Sequence, residues 1–174
     1  MIVVLLTASC ASKRNTLIPT MPVWMVELPP VDNIWGVGIA LLQDSNLGLQ
    51  LATNRAQTEA ARQINALVHS ELINHANEEG LADDPRSITA IENIERNLID
   101  SRISSYRIDK RDRMQDGTWY VRISIRKSDA IGHINSIVEN ELAEYSEFMT
   151  DLALSRINAS LYDTRMRPSP LGDE

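Results

Sequence analysis

The sequence predicts an α+β fold: an antiparallel sheet of about three or more strands, packed by a long Ala-rich helix, a shorter helix and a long C-terminal helix. Three observations carry this. Apolar residues recur every three to four positions from Leu49 to Leu72, the rhythm of a buried helical stripe. Asp116-Gly117 divides two strand-like runs, and the second run alternates strictly, as a hairpin requires. A further helical stripe then runs from Ile134 to Ile157.

The chain opens on an apolar run, Met1 to Leu6, closed by Thr7-Ala8-Ser9-Cys10. Cys10 is the single cysteine. Small residues just before a lone cysteine have the form of a bacterial lipoprotein signal, cut before Cys10, whose thiol then carries a diacylglycerol. The polar stretch Ala11 to Thr16 suits a tether. Thr7 stands where such a signal usually has Leu, Val or Ile, and no Lys or Arg precedes Cys10. A start codon lying further upstream would supply the basic segment. The alternative is a buried apolar strand with a core cysteine. The run is far shorter than the ~20 residues a spanning helix needs.

Residues 11–33 contain Pro19, Pro22, Pro29 and Pro30, which forbid a helix. An extended linker is expected, with Pro22-Val23-Trp24 as its first anchored point and Trp24 and Trp35 against the domain edge. Ile34 to Leu41 reads as a strand with Gly36 and Gly38 on one face, where another backbone, such as the first helix, comes close. As a phosphate loop the pair fails: Leu41 stands where a third Gly belongs, and there is no P-loop lysine.

Asp44 or Ser45 caps a long helix that Gly80 stops. Its stripe is Leu49, Ala52, Ala56, Ala60, Ile64, Leu67, Val68 and Leu72, and the Ala-rich first half lets it sit close to the sheet. Ser87 is expected to cap a shorter helix over 88–100. A strand over 103–112 and a return strand over 118–127 make the hairpin. In the return strand Trp119, Val121, Ile123 and Ile125 face the core, and Tyr120, Arg122, Ser124 and Arg126 face a wet or partly paired side. Ser128 or Asp129 caps a final helix to about residue 162. Its stripe is Ile134, Ile137, Val138, Leu142, Tyr145, Met149, Leu152 and Ile157, with an acidic outer face. Such a stripe packs along the sheet or against a second copy.

The expected organisation is therefore a signal remnant at 1–9, a lipidated N-terminus and linker at 10–33, a single α+β domain at 34–163, and a fraying tail at 164–174. With 174 residues and a hydrophobic fraction of 43%, one domain with a real core is expected. Aromatics are only 5%, so that core is aliphatic. The net charge of −7 opposes nonspecific nucleic-acid binding and electrostatic docking on anionic lipid. Membrane attachment is accordingly expected through acyl chains. One cysteine excludes an intramolecular disulfide, and its acylation would leave no free thiol in an oxidising compartment.

The chemistry-bearing residues are sparse. His69 and His75 lie six apart on one helix, on roughly opposite faces, whereas a metal pair wants a spacing of three or four. Glu71 and His75 have that spacing but lack a third ligand. His133 is remote in sequence. There is no Gly-x-Ser-x-Gly elbow and no carboxylate pair in an apolar setting. No catalytic residue, no metal and no cofactor is expected. The lipidation site expected is Cys10.

Pro22-Val23-Trp24, Gly36-Val37-Gly38-Ile39-Ala40, Ala56, Ala60-Ala61-Arg62, Ile64 and Trp119-Tyr120-Val121-Arg122-Ile123 together resemble the Lpp-twenty family of small bacterial lipoproteins. The resemblance spans about residues 22–128. It implies a membrane-anchored, non-enzymatic α+β domain of the outer membrane, and Ala11 after the cysteine fits outer-membrane sorting. Some relatives support the flagellar apparatus. The partners implied are the membrane, through acyl chains on Cys10, and an envelope protein. A homo-oligomer through the C-terminal helix and, more remotely, a small-ligand carrier or enzyme remain as alternatives.

Overall fold

The structure is a computed structural model that describes residues 21–101, 104–142 and 147–164. Within these residues β1 (Asn33–Leu41), α1 (Ser45–Glu78), α2 (Pro85–Asp100), β2 (Tyr106–Arg113), β3 (Thr118–Arg126), α3 (Lys127–Leu142) and α4 (Glu147–Asp163) follow in chain order. The strands form one antiparallel sheet in the order β1-β3-β2. The hairpin turn between β2 and β3 places Gly117 at φ +92°, a value an L side chain resists.

β1 presents Ile34, Gly36, Gly38 and Ala40 to α1. A Cβ on Gly36 would lie 2.0 Å from the Ala56 carbonyl oxygen, and one on Gly38 would lie 1.9 Å from that of Ala52. The two backbones are thus in direct contact. Gly48, Ala52, Ala56 and Ala60, every fourth residue of α1, make that approach possible and are all buried. The Asp44 side chain caps the helix by accepting from the Asn46 and Leu47 N–H groups, each at 2.9 Å.

Beyond Ala60 the same stripe turns large, with Ile64, Val68 and Leu72, and α1 leaves the sheet. Here it packs with α2 and α4, and α3 closes the ring against both. Contacts fix the directions. His69 meets Glu95 and His75 lies beside Ser87, so α2 runs back along α1. Ser101 meets His133 and Asn97 meets Glu141, so α3 reverses again. The core is therefore continuous but changes character, from a helix on a sheet to an up-down-up-down bundle.

The structure replaces the expected long C-terminal helix with two helices. One continuous helix would hold Lys127 and Tyr162 about 50 Å apart. Instead the Lys127 amine donates to the carbonyls of Tyr162 at 3.0 Å and Thr164 at 2.9 Å. α3 and α4 are antiparallel, and Ile134, Val138 and Ile157 from the expected stripe are buried inside the bundle. Periodicity misses this reversal because both helices face the same core. The side chains of Tyr145 and Met149 lie outside the described residues. The shorter helix also differs at its start: Asp84, not Ser87, is the cap, with Pro85 in the first turn, where a missing N–H costs nothing. β2 begins at Tyr106, and its register slips between Ile108 and Lys110, leaving Asp109 as a bulge.

Candidate functional site

The face of the sheet away from α1 carries the polar chemistry. Alternation puts Asn33, Trp35 and Val37 of β1 there, with Tyr120, Arg122 and Ser124 of β3. Residues 22–30, which precede β1, run along this face as a strap. A 3₁₀ turn at Val23–Val26 presses Trp24 inward until it is buried.

Arg122 holds the strap. It is 2% exposed although it lies on the face without helices. Its Nε donates to Asp109 Oδ2 at 2.8 Å, and a terminal nitrogen meets the same oxygen at 2.7 Å. The other terminal nitrogen donates to the Trp24 carbonyl at 3.0 Å and to Glu27 Oε2 at 2.9 Å. The guanidinium carbon sits 3.5 Å from the Trp35 ring centroid and 5.3 Å from that of Trp24. Trp24 Nε1 completes the network by donating to Asp112 Oδ2 at 2.5 Å. The planar, always-charged guanidinium suits this site because it stacks on a ring while donating in its plane. The bulge explains Asp109: the extra residue turns its carboxylate toward Arg122.

The sheet edges are both guarded. Along β1, Arg55 of α1 donates to the Ile39 carbonyl at 2.6 Å and Gln63 to the Trp35 carbonyl at 3.3 Å. Along β2 the bulge and a run of charged residues do the same work. An open groove of about 690 Å³ adjoins the open face, with Asn33, Arg107, Ser124, Arg126 and Tyr162 on its walls. Arg126 is paired there with Asp129 at 3.0 Å.

The sequence candidates are dispersed. Cys10 lies outside the described residues. His69 is paired with Glu95, and His133 with Ser101 Oγ at 2.9 Å. His75 is buried against a cavity of about 40 Å³, and neither ring nitrogen has a hydrogen-bond partner. Glu71 and His75 form no pair among the described residues. Among those residues no group of three or more His, Cys, Asp or Glu side chains is arranged to hold a metal. Gly36 and Gly38 lie against α1, which leaves no room there for a phosphate. Sequence reasoning missed the Arg122 network. Its one legible signal was an arginine between Val121 and Ile123 in a core strand, opposite a strand bearing Asp109 and Asp112.

The class the fold and site define is an α+β domain with a strapped three-stranded sheet and a helical bundle sharing one long helix. Comparison with protein-family models, with curated proteins and with solved structures finds no match to this chain. No described helix is long and apolar enough to cross a membrane.

Proposed function

We propose that this protein is a lipid-anchored component of a bacterial cell envelope, of the outer membrane, that acts by binding or scaffolding and not by catalysis. The observation that carries the reading is Ala8-Ser9-Cys10 after an apolar run, with Cys10 the lone cysteine. Cys10 is the lipidation site in this reading, and acyl chains anchor the domain at roughly 0.8 kcal/mol per buried methylene. The Arg122 network supports it by giving the tether a firm end: the chain is pinned to the domain at Trp24. The resemblance to the Lpp-twenty family points the same way. Ile134, Val138 and Ile157 of the apolar stripe that suggested assembly through a C-terminal helix are taken up by packing within the bundle.

The test is the intact mass of the protein purified from its native membranes. A chain beginning at Cys10 with added acyl mass is expected. An unmodified chain beginning at Met1 overturns the proposal. In parallel, Cys10→Ala should move the protein to the soluble fraction after a high-salt wash, and a variant that still pellets counts against a lipid anchor.

A further inference from the structure

We infer that the strap and the β2 edge together form a membrane-contacting face that lies on anionic lipid headgroups. The inference rests on the lipid-anchored reading for its orientation, and on two independent features of the structure for its chemistry.

The first feature is apolar. The strap buries Pro22, Trp24 and Pro29 and leaves Val23 84%, Val26 60% and Leu28 54% exposed. Three exposed aliphatic residues within six positions of a fixed segment, with Glu27 turned to Arg122 between them, form a patch rather than scattered surface residues. The second feature is charge. The strand β2 holds Arg107, Lys110, Arg111 and Arg113 against Asp109 and Asp112, a net +2 within a chain whose total is −7, and the strap adds the one acid Glu27, which pairs with Arg122. The overall acidity is thus concentrated elsewhere. Both acids of β2 are engaged by the strap network: Asp109 by Arg122 and Asp112 by Trp24. Among the described residues no carboxylate pairs with Arg107 or Lys110, both are exposed, and both register with strap-side residues, Ser124 and Arg122. Lys110 registers with Arg122, the residue that holds the strap, so the basic edge and the apolar patch are neighbours.

Apolar side chains beside unpaired cations match the interfacial zone of a bilayer, where aliphatic groups enter the acyl boundary and cations meet phosphate. The tether favours this occupant. Cys10 precedes Met21 by eleven residues, a reach of at most about 40 Å. Lys13 and Arg14 lie in that tether with no acidic residue beside them. A lipid on Cys10 therefore holds the strap, where the tether ends, within that reach of the surface.

The experiment is flotation of the full chain carrying Cys10→Ser, with vesicles of phosphatidylcholine alone or mixed with phosphatidylglycerol. Binding to the anionic vesicles, weakened by salt, is expected. The combined variant Arg107→Glu and Lys110→Glu should bind on the order of 30-fold more weakly, and Val23→Ser with Val26→Ser about 10-fold more weakly. The apolar start, Met1 to Leu6, contributes equally to every variant and sets the signal on neutral vesicles. Equal binding to both vesicle types, or an unchanged charge variant that remains folded by circular dichroism, overturns the inference. A charge variant that self-associates while keeping its vesicle affinity would make the basic residues edge protection only, and also overturns it. Equally tight binding to duplex DNA would do the same. Failure here with an acylated Cys10 leaves the anchor standing; vesicle binding without acylation leaves the face and removes the anchor.

Discussion

Replacing Arg122 with Met should release the strap while leaving the rest of the domain folded. Met matches the length of the aliphatic stem and removes only the guanidinium. The lost interactions are the contact with Asp109, the donation to the Trp24 carbonyl, the link to Glu27, and the stacking on Trp35. Charge-assisted hydrogen bonds contribute about 1.5–3 kcal/mol each, and a desolvated cation–π contact up to about 2 kcal/mol. The Glu27 carboxylate is half exposed, so its share is small. Against these gains stands the cost of burying the guanidinium, which the variant no longer bears. The expected net loss is about 2–4 kcal/mol in urea unfolding. Limited proteolysis should then cut within residues 25–31, which the native protein protects. Arg122→Lys keeps the charge without the planar fork and should recover less than half of the loss. Arg126→Met, which breaks an exposed ion pair, should stay within about 0.5 kcal/mol of the parent. An Arg122→Met protein with unchanged stability and a protease-resistant strap would refute the clamp.

Two other substitutions test the fold. Gly38→Ala places a methyl against the backbone of α1, which cannot rotate away, and should cost at least about 1–3 kcal/mol; Gly132→Ala, with nothing within 4 Å, should be neutral or slightly stabilising. Equal effects in urea unfolding would contradict the close contact of β1 and α1. The Arg156 hydrogen bond holds the Glu78 carboxyl below its ordinary range, and the same bond raises Arg156. A depressed carboxyl stabilises above its unfolded pKa and loses that contribution as pH falls through the folded value. Glu78→Gln should therefore lower Tm at pH 7, and the difference from the parent should shrink as pH falls through the folded value. A difference that stays constant with falling pH until the protein unfolds would assign the effect to something other than this ion pair.

Much of the architecture is legible from neighbouring residues. Asp116-Gly117 specifies a turn, the alternation after it specifies which side of β3 is core, and the spacing of Ala52, Ala56 and Ala60 specifies a helix able to touch a sheet. These signals are local because φ preference and side-chain period act over one to four residues. The candidate site is much less legible. An arginine in a strand reads as solvent-facing until its partners arrive, and those partners lie 13, 95 and 98 residues away in sequence.

The sequence by itself determined the hairpin, the small-residue face of α1, its Asp44 cap and the apolar stripes, because each is a short-range consequence of residue size and backbone preference. Only the tertiary structure decided that α3 and α4 fold back on one another, that α1 serves a sheet and a bundle in turn, and that Arg122 is buried beneath a strap. It also decided which cations remain unpaired. Charge pairing depends on distance in space, and an acidic chain can present a basic edge once folding has spent its nearby carboxylates.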